Sequence, residues 1–282
     1  MTEGGSQAVL AGCAVVMAHP DDEVLWASSV LARADRILLC FGDLDGMPQL
    51  GEGRRRALAA FPLGPVEFLD MREAGVLDRA DWAAPQPDAA GLRLRPQVLA
   101  DPPGAAAAYV ANHVRLCEAL TARLAGVAQV VTHNPWGEYG HEEHVQVLRA
   151  VCAAQAVHGF EIWVTNYAAP KSMPLMLAER HRLAEVTPPL PTDRALASRA
   201  QALYTAEGCW TWDDGYVWPE TERFFRLDPA DPALSPGPMP MTALPLNILP
   251  RDPAPRPGLA ALTRRLRRRL RLRSRLRERA RR

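Results

Sequence analysis

Along the first 165 residues, short unbroken apolar runs alternate with segments whose apolar positions recur every three or four residues. Residues 14–18 (Ala-Val-Val-Met-Ala) are apolar throughout, as a strand buried on both faces of a parallel sheet requires. Residues 23–34 read as a helix with Val24, Leu25, Ser28, Val30 and Leu31 near one face. The same logic predicts strands at 36–41, 66–69, 129–132 and 161–164, and helices at 54–61, 105–124 and 141–157. Strands that alternate with helices need crossover connections. The expected fold is therefore α/β, a Rossmann-like, doubly wound, mostly parallel sheet with helices on both faces. The strands at 14–18 and 129–132 are expected side by side, and functional residues are expected beyond the strands' carboxyl ends.

The segment 72–104 is rich in Pro and Ala without a clear period and predicts a long excursion. Beyond residue 165 the pattern loosens. A helix over 193–205 with Asp193 as cap and an edge strand over 222–227 are expected. The stretch 228–257 is crowded with proline and reads as an extended linker or wrapping arm, and 258–282 as a basic amphipathic helix. The irregular Pro-rich C-terminal part thus follows a main domain at 1–227.

Composition sets the class: 48% hydrophobic and 23% charged residues are ordinary for a soluble globular chain. The net charge of +1 conceals an asymmetry. Residues 264–282 hold twelve arginines and one glutamate, which leaves an acidic body of net −10 ahead of a tail of +11. The five cysteines are widely spaced with no Cys-x-x-Cys pair, which argues against a cysteine zinc site and a disulfide framework. No apolar run reaches the roughly 18 residues of a membrane span. The run 8–18 lacks a preceding basic residue and leads straight into a His-Pro-Asp-Asp-Glu cluster, so it is read as part of a cytoplasmic protein and not a signal segment.

Two clusters carry chemistry. His19-Pro20-Asp21-Asp22-Glu23 follows the first strand, and the segment from Asn134 through Trp136, Gly137, Glu138, Tyr139, Gly140 and His141 to His144 follows the fourth. Either alone could be helix-terminal polar residues, but both fall where such sheets place their sites. His19 and Asp22 can aim at one point, and His141 and His144 share a face of a helix's first turn. Two histidines and a carboxylate suit Zn²⁺ with one position left for water. A further aspartate beside them is available as a base.

Ala-His-Pro-Asp-Asp-Glu paired with a distant Gly-His-x-x-His resembles the LmbE/PIG-L metal-dependent deacetylases, over roughly residues 12–165. The resemblance implies one zinc ion on His19, Asp22 and His144, Asp21 as general base, and His141 as the group that steadies the oxyanion. Other divalent metals suit such a mixed nitrogen and oxygen site too. The implied reaction is removal of an N-acetyl group from an N-acetylglucosamine-type conjugate. Trp136, Glu138 and Tyr139 are expected to line a sugar pocket. Where the family carries an arginine and a glutamate three apart, this chain has Glu52 and Arg55 in reverse order, so Arg55 is the candidate for gripping substrate.

A small-molecule or lipid-linked amino sugar is the expected substrate. Leu259, Leu262, Leu266 and Leu270, interleaved with arginines, would suit an anionic membrane surface and a place at its inner face; nucleic acid is the disfavoured partner. Rival readings are an amidase for a non-sugar amide, or a membrane- or nucleic-acid-binding module with a vestigial metal site. Sequence leaves oligomeric state open.

Overall fold

The structure, a computed structural model, describes residues 9–96, 103–228 and 244–249. The first half runs β1 (Ala14–Met17), α1 (Asp22–Trp26), α2 (Ser28–Leu31), β2 (Arg36–Asp43), α3 (Pro48–Ala59) and β3 (Glu67–Arg72). A two-strand hairpin, β4 (Pro87–Asp88) and β5 (Gly91–Leu92), precedes α4 (Ala105–Arg123), β6 (Gln129–Thr132), α5 (Glu142–His158) and β7 (Glu161–Thr165). The rest is β8 (Tyr167–Ala168), α6 (Met173–Glu179), β9 (Leu183–Val186), β10 (Leu190–Pro191), α7 (Arg194–Ala206), β11 (Thr221–Glu222), β12 (Phe224–Leu227) and β13 (Asn247–Ile248).

Among the described residues, seven strands form one mixed sheet in the order β3-β2-β1-β6-β7-β12-β9. The first five are mutually parallel, while β12 runs antiparallel to both β7 and β9. β1 and β6 are neighbours with Val15 opposite Val131, as the apolar runs predict. Ala14, Val16, Leu38, Cys40, Val130 and Ile162 join Leu116, Leu120 and Leu124 of α4 and Val147, Val151 and Ala154 of α5 in one core. The alternate residues Val15, Met17, Leu39 and Val131 point to the opposite face by the strand period and are equally buried. Both faces of the parallel sheet are therefore covered, which is why its strands read as unbroken apolar runs.

Several expectations change. The helix expected over 23–34 breaks at Ala27 (φ −143°, ψ 22°) into α1 and α2. The helix expected over 54–61 starts earlier, with Pro48 in its first turn, a position where the missing N–H costs nothing. The strand at 224–227 is not the edge: the short, largely exposed β9 flanks it. Within the stretch read as a linker, residues 244–249 are laid against β8, with Asn166 Nδ2 donating to Pro245 O at 2.8 Å. The remainder of that linker and the Arg-rich tail lie outside the described residues. No helix among the described residues is long and apolar enough to cross a membrane. Contacts divide the chain into two units, and the described part of the smaller is Thr211–Val217, where Trp212 meets Tyr216 edge-on at 6.1 Å.

Three elements distant in sequence meet at the buried carboxyl of Glu222. It accepts from Ser29 N at 2.8 Å, Tyr167 OH at 2.9 Å and Ser28 Oγ at 3.4 Å. All three donors are neutral. Burial raises the Glu222 pKa, and these hydrogen bonds offset only part of that. A raised native pKa means the fold favours the protonated acid. The stability this adds is complete below the ordinary value of 4.5 and is lost as pH rises through the native one. Glu222→Gln has no such proton to lose. We expect the melting temperature of wild type relative to Glu222→Gln to be highest below about pH 4.5 and to fall steadily as pH rises above it; a difference that is flat with pH would refute this.

Candidate metal centre

The site forms where β1 and β6 end. Thr132 Oγ1 donates to Val16 O at 2.8 Å, and the N–H of Ala18 donates to Nε2 of His133 at 2.8 Å, which zips the two strand ends together. Because Nε2 of His133 is an acceptor, its proton is on Nδ1, which donates to Glu138 Oε2 at 2.9 Å. Burial, with the neighbouring His144 charge, lowers the His133 pKa, in keeping with a neutral ring.

The first cluster is a tight turn into α1. Asp21 takes φ 112°, outside the ordinary range for a residue with a side chain, which costs on the order of 1–3 kcal/mol and marks a place the surroundings enforce. The Asp21 amide donates to Glu23 Oε2 at 3.0 Å, and Tyr204 OH of α7 donates to Glu23 Oε1 at 2.7 Å. Glu23 thus anchors the turn from below. Burial pushes its pKa up to about 8, against those two hydrogen bonds.

Asp22 is the hub. Its Oδ2 accepts from His19 N at 2.8 Å and lies 3.1 Å from His19 Nδ1 and 3.3 Å from His144 Nε2. Its Oδ1 accepts from Trp26 Nε1, one helical turn on, at 2.9 Å. Burial alone would raise the Asp22 pKa, but the charge and contacts of His144 and His19 hold it well below the carboxylate range. The reciprocal effect raises the histidines. Burial works downward on each, yet Glu73, Asp22 and Glu143 carry His19 up to about 10, and Asp22 and Glu138 carry His144 up to about 9. The pocket is thus built to hold positive charge.

His144 presents Nδ1 to Glu138 Oε2 at 2.7 Å, while its Nε2 is buried without a hydrogen-bond partner. His141 caps α5, its Nδ1 accepting from Glu143 N at 3.2 Å, so the neutral ring carries its proton on Nε2. Burial, then the charges of His144 and His19, push the His141 pKa well below its ordinary value. The two rings stack at 4.6 Å and 9°, and Tyr139 stands edge-on to them at 5.7 and 5.3 Å.

Three groups of donors lie close enough to share an ion: His19, His141 and His144; Asp22, His133 and His144; and His19, Glu73 and Glu143. His133 is discounted as a ligand, because both its nitrogens are already engaged by Ala18 and Glu138. Zn–N and Zn–O bonds of about 2.0–2.1 Å at tetrahedral angles put neighbouring ligand atoms about 3.3 Å apart. The separations of 3.1 and 3.3 Å from Asp22 Oδ2 to His19 and His144 match that spacing. The orphaned Nε2 of His144 is what such an ion would satisfy, and the Glu138–His144 contact is the outer support ligating histidines use.

The residues expected to touch substrate divide. Trp136 and Glu138 are both wholly buried. Trp136 packs among Trp82, Leu92, Val145 and Leu175 and gives its Nε1 to Tyr167 O at 2.7 Å. Glu138 is spent on His133, His144, Asn134 N and the Thr165 hydroxyl. Tyr139 stands at the histidines. The guanidinium of Arg55 is held by Asp43 at 2.8 Å and Asp70 at 2.7 Å. Its buried neighbour Arg54 reaches the site instead, binding Gly42 O at 2.9 Å and Glu73, whose other oxygen is 3.9 Å from His19 Nε2.

Sequence reasoning missed His133, Trp26, Glu73 and Glu143. His133 directly follows the β6 run and Trp26 lies four residues after Asp22, so spacing alone could have drawn attention to both. Glu143 approaches His19 Nε2 at 3.4 Å and takes the Ala74 amide at 2.7 Å, while Glu142 takes Ala80 N and Trp82 Nε1. The excursion after β3 is therefore stapled to the first turn of α5, a long-range pairing that no local pattern encodes.

An α/β sheet with a buried histidine–carboxylate cluster at the carboxyl ends of two adjacent parallel strands forms a metal-capable centre. No protein-family profile matches the chain. The 1D-myo-inositol 2-acetamido-2-deoxy-alpha-D-glucopyranoside deacetylase of Rhodococcus erythropolis is 31% identical over 153 residues, covering 50% of this chain and 51% of that protein. The deacetylase of the same name from Kineococcus radiotolerans is 33% identical over 158 residues, 49% of this chain and 43% of that one. The chain thus spans about half the length of the curated relatives it matches. Among solved structures, a deacetylase in complex with teicoplanin, from the teicoplanin biosynthesis pathway, aligns with TM-score 0.48 and 12% identity, covering 78% of this chain and 99% of that one. Over about half its length the chain is thus similar to proteins named as deacetylases, and the matched relatives agree with the resemblance its two motifs carry.

Removing Glu138 leaves two buried imidazole N–H groups without an acceptor. Glu138→Ala is expected to cost about 3–5 kcal/mol of folding stability, the usual result of breaking a buried pair from one side. Chemical denaturation checks this, and a loss below about 1 kcal/mol would show that the histidines are held by other means.

Proposed function

We propose that this chain is a metal-dependent N-deacetylase that hydrolyses the acetamide of an N-acetylglucosamine-type conjugate, with one zinc ion on His19, Asp22 and His144. The observation that carries the reading is the buried Nε2 of His144, which makes no hydrogen bond and lies 3.3 Å from the same Asp22 oxygen that His19 Nδ1 approaches, while Glu138 fixes the ring from behind. A divalent ion bound there lowers the pKa of water from ~15.7 to ~7 and polarises an amide carbonyl. The relatives named as deacetylases of an inositol-linked 2-acetamido sugar supply the substrate class. Residues 1–227 are taken as the deacetylase domain.

The remaining steps fall to side chains. Asp21, 2% exposed and fixed by the turn before α1, takes the proton of the attacking water and returns it to the departing amine, which yields acetate and a free amino sugar. His141 has its Nδ1 occupied by the Glu143 amide, so Nε2–H is the donor it can offer to the oxyanion as the tetrahedral centre forms. It serves as a neutral donor. Tyr139, against both imidazoles, forms the wall nearest the reacting acetamide. Glu73, backed by Arg54, is the carboxylate positioned to accept a sugar hydroxyl.

The test is acetate release from a panel of N-acetylglucosamine conjugates, the inositol glycoside among them, using zinc-loaded protein. Release from at least one conjugate is expected, with near-total loss on chelation or in Asp21→Asn, and a fall of about 10²–10³ in kcat for His141→Ala. His144→Ala is expected to lose stoichiometric zinc. Stoichiometric zinc in wild type with no acetate from any sugar conjugate would refute the sugar reading and favour a non-sugar amide.

A further inference from the structure

Lys171 is the only lysine in the chain; every other cationic side chain is arginine. It lies outside both motifs, in the turn between β8 and α6. Its Nζ donates to Gly140 O at 2.6 Å and to Asp78 Oδ1 at 2.5 Å, and stands 5.1 Å from the centre of the Trp82 ring. Ser172, the next residue, donates its Oγ to Glu138 O at 2.6 Å. Two consecutive side chains therefore hold the carbonyls of the residues on either side of Tyr139.

That stretch of backbone needs holding. Glu138 (φ 51°) and Gly140 (φ 91°) are both left-handed, and only the second is a glycine. A Cβ at Gly140 would sit 3.1 Å from Cγ, Cδ and Cε of Lys171, so the lysine stem is packed directly on the loop. An ammonium fans three donors from one point, toward a carbonyl, a carboxylate and an aromatic face. A guanidinium spreads its donors in one plane and does not match that arrangement. The Lys171 side chain is only 14% exposed, which shields its bond to the Gly140 carbonyl, whereas the Asp78 side chain it pairs with is 71% exposed.

We propose that Lys171 and Ser172 form a clip that positions Tyr139 and His141, and that the Lys171–Asp78 ion pair ties the segment after β3 to the same loop. Both are positioning residues, acting through Tyr139 and His141. The kinetic part of the test rests on the deacetylase reading, whereas the structural part does not.

Hydrogen exchange at the Gly140 and His141 amides, which donate to Gly137 O at 2.8 and 3.1 Å, reads the clip directly. In full-length protein, with and without zinc, Lys171→Met is expected to speed that exchange about tenfold or more, the effect of losing a charge-assisted bond. Lys171→Arg, which keeps a charged donor, should exchange more slowly than Lys171→Met. Wild-type exchange in Lys171→Met, or equal acceleration in both variants, would overturn the clip and leave the side chain as packing. Should Lys171→Met not fold, Lys171→Gln serves in its place, with a smaller acceleration expected and wild-type exchange again overturning the clip. On a conjugate that wild type deacetylates, kcat should fall about 10²-fold in Lys171→Met, with KM within about threefold and zinc still stoichiometric. Unchanged kcat despite faster exchange would overturn the link to the reaction. If wild type itself releases no acetate, the functional reading fails while the exchange data still decide the clip.

Discussion

The site depends on one buried carboxylate. Glu138 has no exposed surface, yet it receives imidazole N–H groups from His133 and His144, the Asn134 amide and the Thr165 hydroxyl. Burial alone would raise its pKa, but the two histidines bring it down to about 2. A bare carboxylate so deep would cost several kcal/mol, and only a complete set of donors offsets that. The offset has a geometric consequence. Each histidine spends Nδ1 on Glu138, so each must turn Nε2 the other way. For His133 that atom closes the β1–β6 seam through Ala18. For His144 it faces Asp22. One charge thereby sets two tautomers, joins two strand ends and aims a ligand.

The second motif reaches as far outward as inward. Glu142 and Glu143, between its two histidines, receive the backbone amides of Asp78, Ala80 and Ala74 and the indole of Trp82. A helix N-terminus favours negative charge, so acidic residues in this first turn are suited on electrostatic grounds before they bind anything. Their use as acceptors turns a Pro- and Ala-rich segment without its own periodicity into an ordered wall beside His19. A carboxylate such as Glu73 can then stand beside His19 from a segment with little secondary structure.

How much of this could be read from sequence follows the range of each interaction. The parallel strands were legible because burial on both faces leaves an unbroken apolar run, and both clusters were legible because they follow such runs. β9 was not: as a four-residue edge strand, Leu-Ala-Glu-Val, with three exposed positions, it lacks the unbroken apolar run that identifies its neighbours. The same limit explains Trp136 and Glu138. An aromatic and a carboxylate in a metal loop suit a sugar pocket, but residue type does not say which way a side chain turns. The left-handed backbone at Gly137 and Glu138 turns both inward. Arg55 and Arg54 are adjacent on one helix, about 100° apart around its axis, and only the packing of α3 on β2 decides which faces the site.

The buried acids around the site fall into two kinds, and the difference bears on why the centre calls for a cation. Glu23, Glu142 and Glu222 are met by neutral donors (a tyrosine hydroxyl, backbone amides, an indole), and burial raises their pKa values. They brace α1, the segment after β3 and the β11 region. Asp22 and Glu138 are met by imidazoles and are shifted the other way. Asp22 and Glu138, the two carboxylates that flank His144, are thus held ionised, while Glu23, Glu142 and Glu222 act as hydrogen-bonding staples. Without an ion, imidazolium is the positive partner that His19 and His144 can supply themselves. A divalent ion would displace those protons and take up the lone pairs, so proton and metal compete for the same atoms. That competition, set up by where the fold places charge, makes the cluster capable of holding a metal.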